Sequence, residues 1–160
     1  MKSRLFWRRL APGASRPLRS SDGAACAGLH ASSFAHSWSP SEFEALLADP
    51  ACTGEGLDGK SGLAGFVLSR RALDEAEMLT IVIDPGARRK GCAQRLLLSH
   101  LSRLSGLGVK LLFLEVDEAN LPALALYRRN GFVQAGVRKA YYLKSDHSRA
   151  NALIMRRLLD

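Results

Sequence analysis

The stretch EMLTIVIDPGARRKGCAQRLL, residues 77 to 97, decides the fold. Its first seven residues, Glu77 to Ile83, carry apolar and β-branched side chains at both odd and even positions, which predicts a strand buried on both faces. Asp84-Pro85-Gly86 ends this strand with a turn, and from Cys92 onward leucines recur at helical spacing. A buried strand that leads through a short turn into an amphipathic helix is typical of an α/β domain.

Upstream of this unit, the sequence predicts a short strand and two helices. The strand is expected at Arg16 to Arg19, and a helix over Ala24 to Phe34 follows it, capped near residue 21 or 22. A second helix is expected to start at Ser39-Pro40-Ser41-Glu42, with the proline in its first turn. The next glycines, at positions 54, 56, 59 and 62, predict turns. Leu63 to Arg70 then predicts a strand.

Downstream of the leucine-rich helix, the sequence predicts a buried strand, a helix and a final pair of strands. The buried strand is expected at Lys110 to Val116. Asn120 is expected to cap the next helix, which Gly131 ends. Phe132 to Leu143 and Ala150 to Leu158 are expected to pair in antiparallel fashion. This order of elements predicts an α/β sandwich with a mixed sheet.

Composition limits the class of protein. A chain of 160 residues with 47% hydrophobic content is long enough for one buried core and short for two, so we expect one domain, over residues 15 to 160. No segment approaches the roughly 18 apolar residues that span a bilayer, which predicts a soluble protein without a membrane partner. The three cysteines are an odd number without CxxC spacing, which predicts a reducing compartment, the cytoplasm, and no metal.

The net charge of +8 would attract nucleic acid, an anionic cofactor or an acidic protein surface. The basic side chains are scattered and form no recognised nucleic-acid motif, so no specific nucleic-acid partner is expected. Residues 1 to 14 are predicted to be a basic, disordered segment outside the domain. The absence of acidic residues from the first 21 positions is also typical of an organellar transit peptide, and ordinary domain sequence from Ser15 onward is the alternative.

The turn between the buried strand and the leucine-rich helix has the pattern of an anion site. Arg88, Arg89 and Lys90 precede Gly91, and the first main-chain N–H groups of the helix have no helical partner. A glycine lets a phosphate approach the main chain, and the helix dipole favours negative charge there. The pattern predicts a site for a diphosphate-bearing cofactor. Because it lacks GxGxxG and GK[ST], a basic turn that only caps the helix remains the alternative.

The run RxxGxA at residues 88 to 93 resembles the [RQ]xxGx[GA] pyrophosphate motif of the GNAT acetyltransferases. LEVxxxN at residues 114 to 120 and ALYxxxGF at residues 125 to 132 resemble in particular the ribosomal-protein-alanine N-acetyltransferases of that family. The resemblance implies a GNAT fold, with a mixed, mostly antiparallel sheet that splays at its central strands and is flanked by about four helices. It also implies transfer of an acetyl group from acetyl-CoA to the N-terminal amine of a protein, with a ribosomal protein that begins with alanine as the acceptor.

The same resemblance implies which residues hold acetyl-CoA. The strand backbone at Ile81, Val82 and Ile83 would pair with the pantetheine arm, and Asn120 would contact the cofactor as well as cap its helix. The pyrophosphate would be bound by six consecutive residues, which are Arg89, Lys90, Gly91, Cys92, Ala93 and Gln94.

Two proton-handling residues are predicted. Glu115 is the only charged residue within the apolar run Leu111 to Val116, so desolvation is expected to raise its pKa towards that of a general base. An ion pair with an arginine is the alternative. Tyr127 could protonate a departing thiolate within hydrogen-bond reach, and core packing is the alternative for a tyrosine at this helical position. The resemblance implies that Glu115 is the base and Tyr127 the acid.

The acceptor side is implied to include Glu77, Tyr141 and Tyr142, although paired tyrosines in a hairpin are also explained by packing. Two residues depart from the family pattern, since Asn151 stands where an acid is common and His147 replaces a glycine. The acceptor is therefore open to two alternatives, a small-molecule amine and a lysine side chain. A non-catalytic basic module that binds RNA or the ribosome is a further alternative.

Overall fold

The computed structural model describes residues 14 to 160, so the predicted basic segment, apart from Ala14, lies outside the described residues. Seven strands and four α-helices follow in the order β1 (Ser15–Pro17), α1 (Gly23–Ser33), α2 (Pro40–Ala48), β2 (Cys52–Gly59), β3 (Gly62–Ala72), β4 (Glu75–Ile83), α3 (Cys92–Gly106), β5 (Leu111–Asp117), α4 (Leu121–Arg129), β6 (Val133–Leu143) and β7 (Arg149–Leu158).

One sheet contains all seven strands, in the order β1-β2-β3-β4-β5-β7-β6. Neighbouring strands are antiparallel except β4 and β5, which are parallel. The predicted α/β architecture with a mixed, mostly antiparallel sheet and about four helices is confirmed. Within residues 14 to 160, no helix combines the length and the apolar content needed to cross a membrane.

The glycines of β2 were expected to form turns, and that prediction was wrong for residues 54, 56 and 59. β2 runs through all three and pairs with β1 and β3. A Cβ on Gly54 would lie 3.1 Å from carbons of Leu18 and Leu47, and a Cβ on Gly56 would lie 2.8 Å from Leu18. The glycines therefore let neighbouring side chains pack directly against the strand backbone. In the sequence alone, glycines with this role look the same as glycines in turns.

Each face of the sheet is covered by two helices. α3 and α4 share a core with one face, in which Leu96, Leu97 and Leu124 are buried. α1 and α2 cover the other face, where the ring of Phe43 meets that of Phe66 edge-on at 5.5 Å between centroids. Burial on both faces explains why the central strand β4 carries apolar side chains at odd and even positions.

β4 and β5 separate after a short paired region. Their parallel register ends where Met78 lies opposite Leu114. At the same point β4 holds one extra residue relative to β3, Leu79, which lies between two paired positions. Such a bulge bends a strand and increases its twist, so β4 turns away and a cleft opens between the carboxyl-terminal halves of β4 and β5. The predicted splay of the central strands is confirmed.

A buried hydrogen-bonded network ties β2 and β3 to α3. His100 of α3 bonds to Ser69 of β3 at 2.7 Å and to Glu55 of β2 at 3.1 Å. These three residue types also form hydrolytic triads, but Ser69 and His100 have no solvent-exposed surface. No substrate can reach them, so the network serves to hold α3 on the sheet.

Replacing His100 with leucine is expected to lower the free energy of unfolding by about 3 kcal/mol, because Ser69 and Glu55 would be left buried without their partner. Urea unfolding measures this loss. The double variant Glu55→Met/His100→Leu also removes the buried acid and should regain at least half of it, since apolar replacement of a whole buried pair is well tolerated. A loss under about 1 kcal/mol in the single variant, the size of an average substitution, would contradict this role.

Candidate active site

The turn between β4 and α3 presents main-chain N–H groups to an open space. Gly91 precedes α3 with a φ of 75°, and no side chain caps the start of the helix. Arg89 also has a positive φ, of 60°. A Cβ on Gly91 would meet no atom within 4 Å, so the space beside Gly91 is open. Uncapped N–H groups, the helix dipole and left-handed turn residues together fit a pyrophosphate.

Two basic side chains of this turn are engaged with nearby protein groups. Arg88 donates to the carbonyl oxygen of Ile83 at 3.2 Å and to the hydroxyl of Ser33 at 3.0 Å. Lys90 donates to the carbonyl oxygen of Gly86 at 3.2 Å. An anion in this turn would therefore be held mainly by main-chain amides, and Arg88 connects the turn to the end of α1.

The side chains at the start of α3 anchor the helix. The carboxamide of Gln94 exchanges two hydrogen bonds with that of Asn130, at 2.9 and 2.8 Å. The side chain of Cys92 is buried, and Ala93 packs against the core beneath α3. What these residues offer to an anion is therefore their main-chain N–H groups.

Beyond Met78, the edge of β4 that faces β5 has no strand partner among the described residues. Ile81, Val82 and Ile83 pair with β3 on the other side, and the carbonyl oxygen of Ile83 also accepts from Arg88. The remaining main-chain groups on the open edge are available to an extended ligand, which would pair with β4 as an added strand does.

Glu115 lies on β5 immediately after the last residue that pairs with β4, so it borders the cleft. Its side chain is 23% exposed, and Oε1 accepts a hydrogen bond from Arg138 of β6 at 2.7 Å. Of the two interpretations of Glu115, the structure shows the alternative, an ion pair with an arginine. The hydrogen bond and charge of Glu115 raise the pKa of Arg138.

A cavity of about 400 Å³ lies beside Glu115. Its wall includes Glu77 of β4, Phe113 of β5 and Ile154 of β7, together with Arg70. Glu77 and Phe113 are opposite each other in the parallel register. Two carboxylates, those of Glu77 and Glu115, therefore border the same cavity at the base of the cleft.

Tyr127 of α4 is almost completely buried. It is 5% exposed, and its ring lies 5.6 Å from that of Phe132 between centroids. Burial, with a further contribution from Tyr142, raises the pKa of Tyr127 to about 12, so the phenol is protonated at neutral pH. At the other end of α4, Oδ1 of Asn120 accepts a hydrogen bond from the N–H of Ala123 at 3.3 Å, which confirms the predicted cap.

Tyr142 of β6 lies near both predicted proton-handling residues. Burial and then the charge of Glu115 raise the pKa of Tyr142 to about 12, and Tyr142 contributes in turn to the raised pKa of Tyr127. Tyr141 is more exposed, and its ring meets that of Tyr142 at 5.0 Å between centroids. The structure therefore brings Glu115, Tyr127 and the tyrosine pair into one neighbourhood, in which the tyrosines also pack against each other.

The two residues that depart from the family pattern lie at the β6–β7 end. Oδ1 of Asn151 accepts from the N–H of Ala140 at 2.9 Å, and Nδ2 donates to Glu118 at 3.3 Å. An amide can make both contacts, whereas an acid at this position would face the carboxylate of Glu118. His147 has a φ of 66°, a conformation that histidine adopts more readily than most residues other than glycine.

Sequence reasoning did not find Arg138 or the contact between Glu118 and Asn151. The register of β6 against β7 shifts after Gln134 and again after Arg138. Each shift changes which side chains share a face, so no alternation pattern could show which β6 residue reaches Glu115. The sequence contains no local signal for this contact.

The chain matches the family model described as acetyltransferase (GNAT) family over residues 24 to 132. It is 36% identical over 96 residues to the ribosomal protein bS18-alanine N-acetyltransferase of Haemophilus ducreyi, a match that covers 60% of this chain and 66% of that protein. It is 38% identical over 148 residues to N-alpha-acetyltransferase RimI of Mycobacterium tuberculosis, covering 88% and 89% of the two chains.

The fold leads to the same family. The crystal structure of the ribosomal-protein-S18-alanine N-acetyltransferase of Escherichia coli superposes with a TM-score of 0.85 at 30% identity, covering 92% of this chain and 94% of that one. The match spans just under two thirds of the Haemophilus ducreyi protein and most of the Mycobacterium tuberculosis protein. The family model matches more than half of this chain, and the crystal structure from Escherichia coli has the same fold. The chain therefore belongs to the GNAT acetyltransferase family.

Proposed function

We propose that this chain is a protein N-terminal acetyltransferase, which moves an acetyl group from acetyl-CoA to the α-amine of a ribosomal protein that begins with alanine. The observation that carries this proposal is the cleft between β4 and β5, which leads from the uncapped start of α3 to Glu115. The names of two relatives support the acceptor, because one describes N-acetylation of alanine in ribosomal protein bS18 and the other describes N-α-acetylation. The three free cysteines fit a reducing compartment such as the cytoplasm.

The cleft fits the cofactor that the family uses. GNAT acetyltransferases take the acetyl group from acetyl-CoA, which when bound supplies an activated thioester. The main-chain amides within residues 89 to 94 would hold the pyrophosphate, because the start of α3 has no side-chain cap and the space beside Gly91 is open. The open edge of β4 at residues 81 to 83 would orient the pantetheine arm, and Asn120 would contact the cofactor from the start of α4.

Glu115 is the proposed general base. An α-ammonium has an ordinary pKa of about 8, so a carboxylate can take its proton at neutral pH, directly or through one water, and leave the amine neutral for attack. Tyr127 is the proposed general acid. Its phenol, whose pKa is about 12, keeps its proton until the departing sulfur receives it. One ammonium proton therefore goes to Glu115 before the attack. As the C–N bond forms and the C–S bond breaks, the phenol proton goes to the thiolate, and the second proton lost by the nitrogen returns to the phenolate, directly or through water.

The acceptor is proposed to enter beside Glu77 and Glu115. The two carboxylates border one cavity, and their negative charge would draw in a cationic N-terminus. Tyr141 and Tyr142 would line the same entrance from β6, where Tyr142 lies near the Glu115 charge.

An acetyl-transfer assay tests the proposed function. A peptide that begins with alanine, its N-terminally blocked form with a free lysine, and a panel of small amines compete for acetyl-CoA, and mass spectrometry locates each added acetyl group. We expect acetylation at the α-amine with kcat/KM at least about tenfold above the other acceptors. Preference for lysine or a small amine would contradict the acceptor. An absence of turnover together with an absence of thermal stabilisation by acetyl-CoA would contradict the enzyme.

A further inference from the structure

Arg138 is hydrogen-bonded to the carboxylate of Glu115, which is the general base in the proposed function. Its Nη1 donates to Oε1 of Glu115 at 2.7 Å, and its guanidinium lies 4.0 Å from the centre of the Tyr141 ring. Arg138 therefore sits between the proposed base and the proposed acceptor side. The guanidinium holds one carboxylate oxygen, Oε1, on the side where the acceptor is proposed to enter, so an incoming ammonium meets Arg138 at this charge.

We propose that Arg138 is a gate, a built-in cation that holds Glu115 until the α-ammonium of the acceptor displaces it. This inference rests on the proposed function of Glu115 as base. Both cations can donate a charge-assisted hydrogen bond to the carboxylate, so they compete for its negative charge. They differ in chemistry, because a guanidinium is not deprotonated in proteins. Arg138 can therefore pair with Glu115 without being acetylated and without transferring a proton to the carboxylate.

The surroundings of Arg138 allow it to leave. Its side chain is 49% exposed, so it can move into water, and ion pairs at exposed positions are weak. On the sheet, Glu115 lies opposite Ile154, and Ile154 lies opposite Gly136. Gly136 adds no side chain to this row, and a Cβ there would meet only the side chain of Ile154 within 4 Å. The β6 register also shifts directly after Arg138, which frees this segment from regular pairing.

Other charges nearby do not replace Glu115 as the partner of Arg138. Asp117 shares the row of Arg138 across β7, but its Oδ1 accepts from the N–H of Ala119 at 2.8 Å. Tyr142, which is half-buried nearby, keeps its proton because its pKa is about 12. Glu115 is therefore the anion for which an incoming ammonium and Arg138 compete.

The gate gives selectivity for an unmodified N-terminus and helps the product to leave. A free α-ammonium brings the positive charge that replaces Arg138, whereas an N-acetylated end brings none. Acetylation removes that charge from the acceptor. Once Glu115 has passed its proton to water, Arg138 is the better partner again and displaces the product.

Calorimetry with non-reacting complexes tests the gate. The protein is saturated with coenzyme A, which cannot donate acetyl, and is titrated with an alanine-initiated peptide and separately with its N-acetylated form. Arg138→Met removes the charge and keeps the length of the side chain. Arg138→Lys keeps the charge, and Lys139→Met removes one charge from the exposed neighbouring position, which corrects for the change in net charge.

The free-amine peptide should bind Arg138→Met at least about fivefold more tightly than the wild type, because it no longer competes with a bound cation. The N-acetylated peptide should gain nothing. Arg138→Lys and Lys139→Met should remain within about twofold of the wild type. If Arg138 only held Glu115 in place, its loss would weaken binding of the free amine or leave it unchanged.

The outcomes separate the gate from the proposed function. Unchanged or weaker binding of the free-amine peptide to Arg138→Met overturns the gate, and so does equal tightening of both peptides. If the wild type acetylates the peptide but the affinity difference is missing, the gate alone fails. If no variant transfers acetyl groups but the selective tightening is present, the proposed function fails, and only the competition of the two cations for Glu115 stands. If no variant binds either peptide and none transfers acetyl groups, both proposals are overturned.

Discussion

Replacing Glu115 with glutamine is expected to lower kcat for an alanine-initiated peptide by about 10²- to 10⁴-fold at neutral pH, the range that general base catalysis supplies. Glutamine has the same shape and can still accept a hydrogen bond from Arg138, but it cannot take a proton from an ammonium. Acetyl-CoA should still stabilise the variant against heat, because Glu115 is not among the residues proposed to hold the cofactor. Steady-state kinetics at saturating acetyl-CoA measures the loss.

The pH dependence of this variant provides an internal check. The acceptor amine has an ordinary pKa of about 8, so above about pH 9 it is largely neutral without a base. The gap between wild type and Glu115→Gln should therefore narrow as the pH rises. Glu118→Gln is the matched control, since its amide retains an oxygen for Asn151, and it should keep kcat within about twofold. A Glu115→Gln variant with full turnover at pH 7 would remove this residue as the base.

The second large effect is expected from Tyr127→Phe, with a loss of about 10²-fold in kcat. Phenylalanine keeps the ring contact with Phe132, so the fold and the KM for acetyl-CoA should change little. The pKa of Tyr127 is raised to about 12, and a group with a raised pKa loses its proton only at higher pH. Wild-type activity should therefore not fall through ionisation of Tyr127 between neutral pH and about pH 10.

Tyr142→Phe is the matched control for this assignment. Tyr142 is also a tyrosine with a raised pKa, of about 12, and it lies near Glu115. If Tyr127 is the acid, Tyr142→Phe should change mainly the KM for the acceptor peptide. A larger loss of kcat in Tyr142→Phe than in Tyr127→Phe would transfer the role of general acid to Tyr142.

Most of the fold could be predicted because it depends on local patterns. α2 begins at the predicted Ser39-Pro40 start, where Ser39 and Glu42 form a capping box in which each side chain accepts a hydrogen bond from the main-chain N–H of the other. Asn120 caps α4 as expected. These signals act within one helical turn, so they are readable without knowledge of the tertiary structure. The glycines of β2 misled the prediction, because the side chains that need their space, such as Leu18, come from other elements.

The candidate site was predictable only in part. The anion-binding turn at Gly91 combines a strand end, a glycine and a helix start, which are contiguous in sequence. The surroundings of Glu115 are not contiguous, because Arg138 reaches it from β6, across β7. The expectation of a desolvated carboxylate considered only the apolar run around Glu115, and a run of sequence does not show what lies two strands away.

The sequence by itself determined the α/β class, the central strand buried on both faces, the helix caps and the turn that fits a pyrophosphate. These features follow from periodicity, capping and turn chemistry, all of which act between residues close in the chain. Only the tertiary structure decided the bulge at Leu79 that opens the cleft and the pairing of Arg138 with Glu115. Both depend on strand register, which one inserted residue is enough to change.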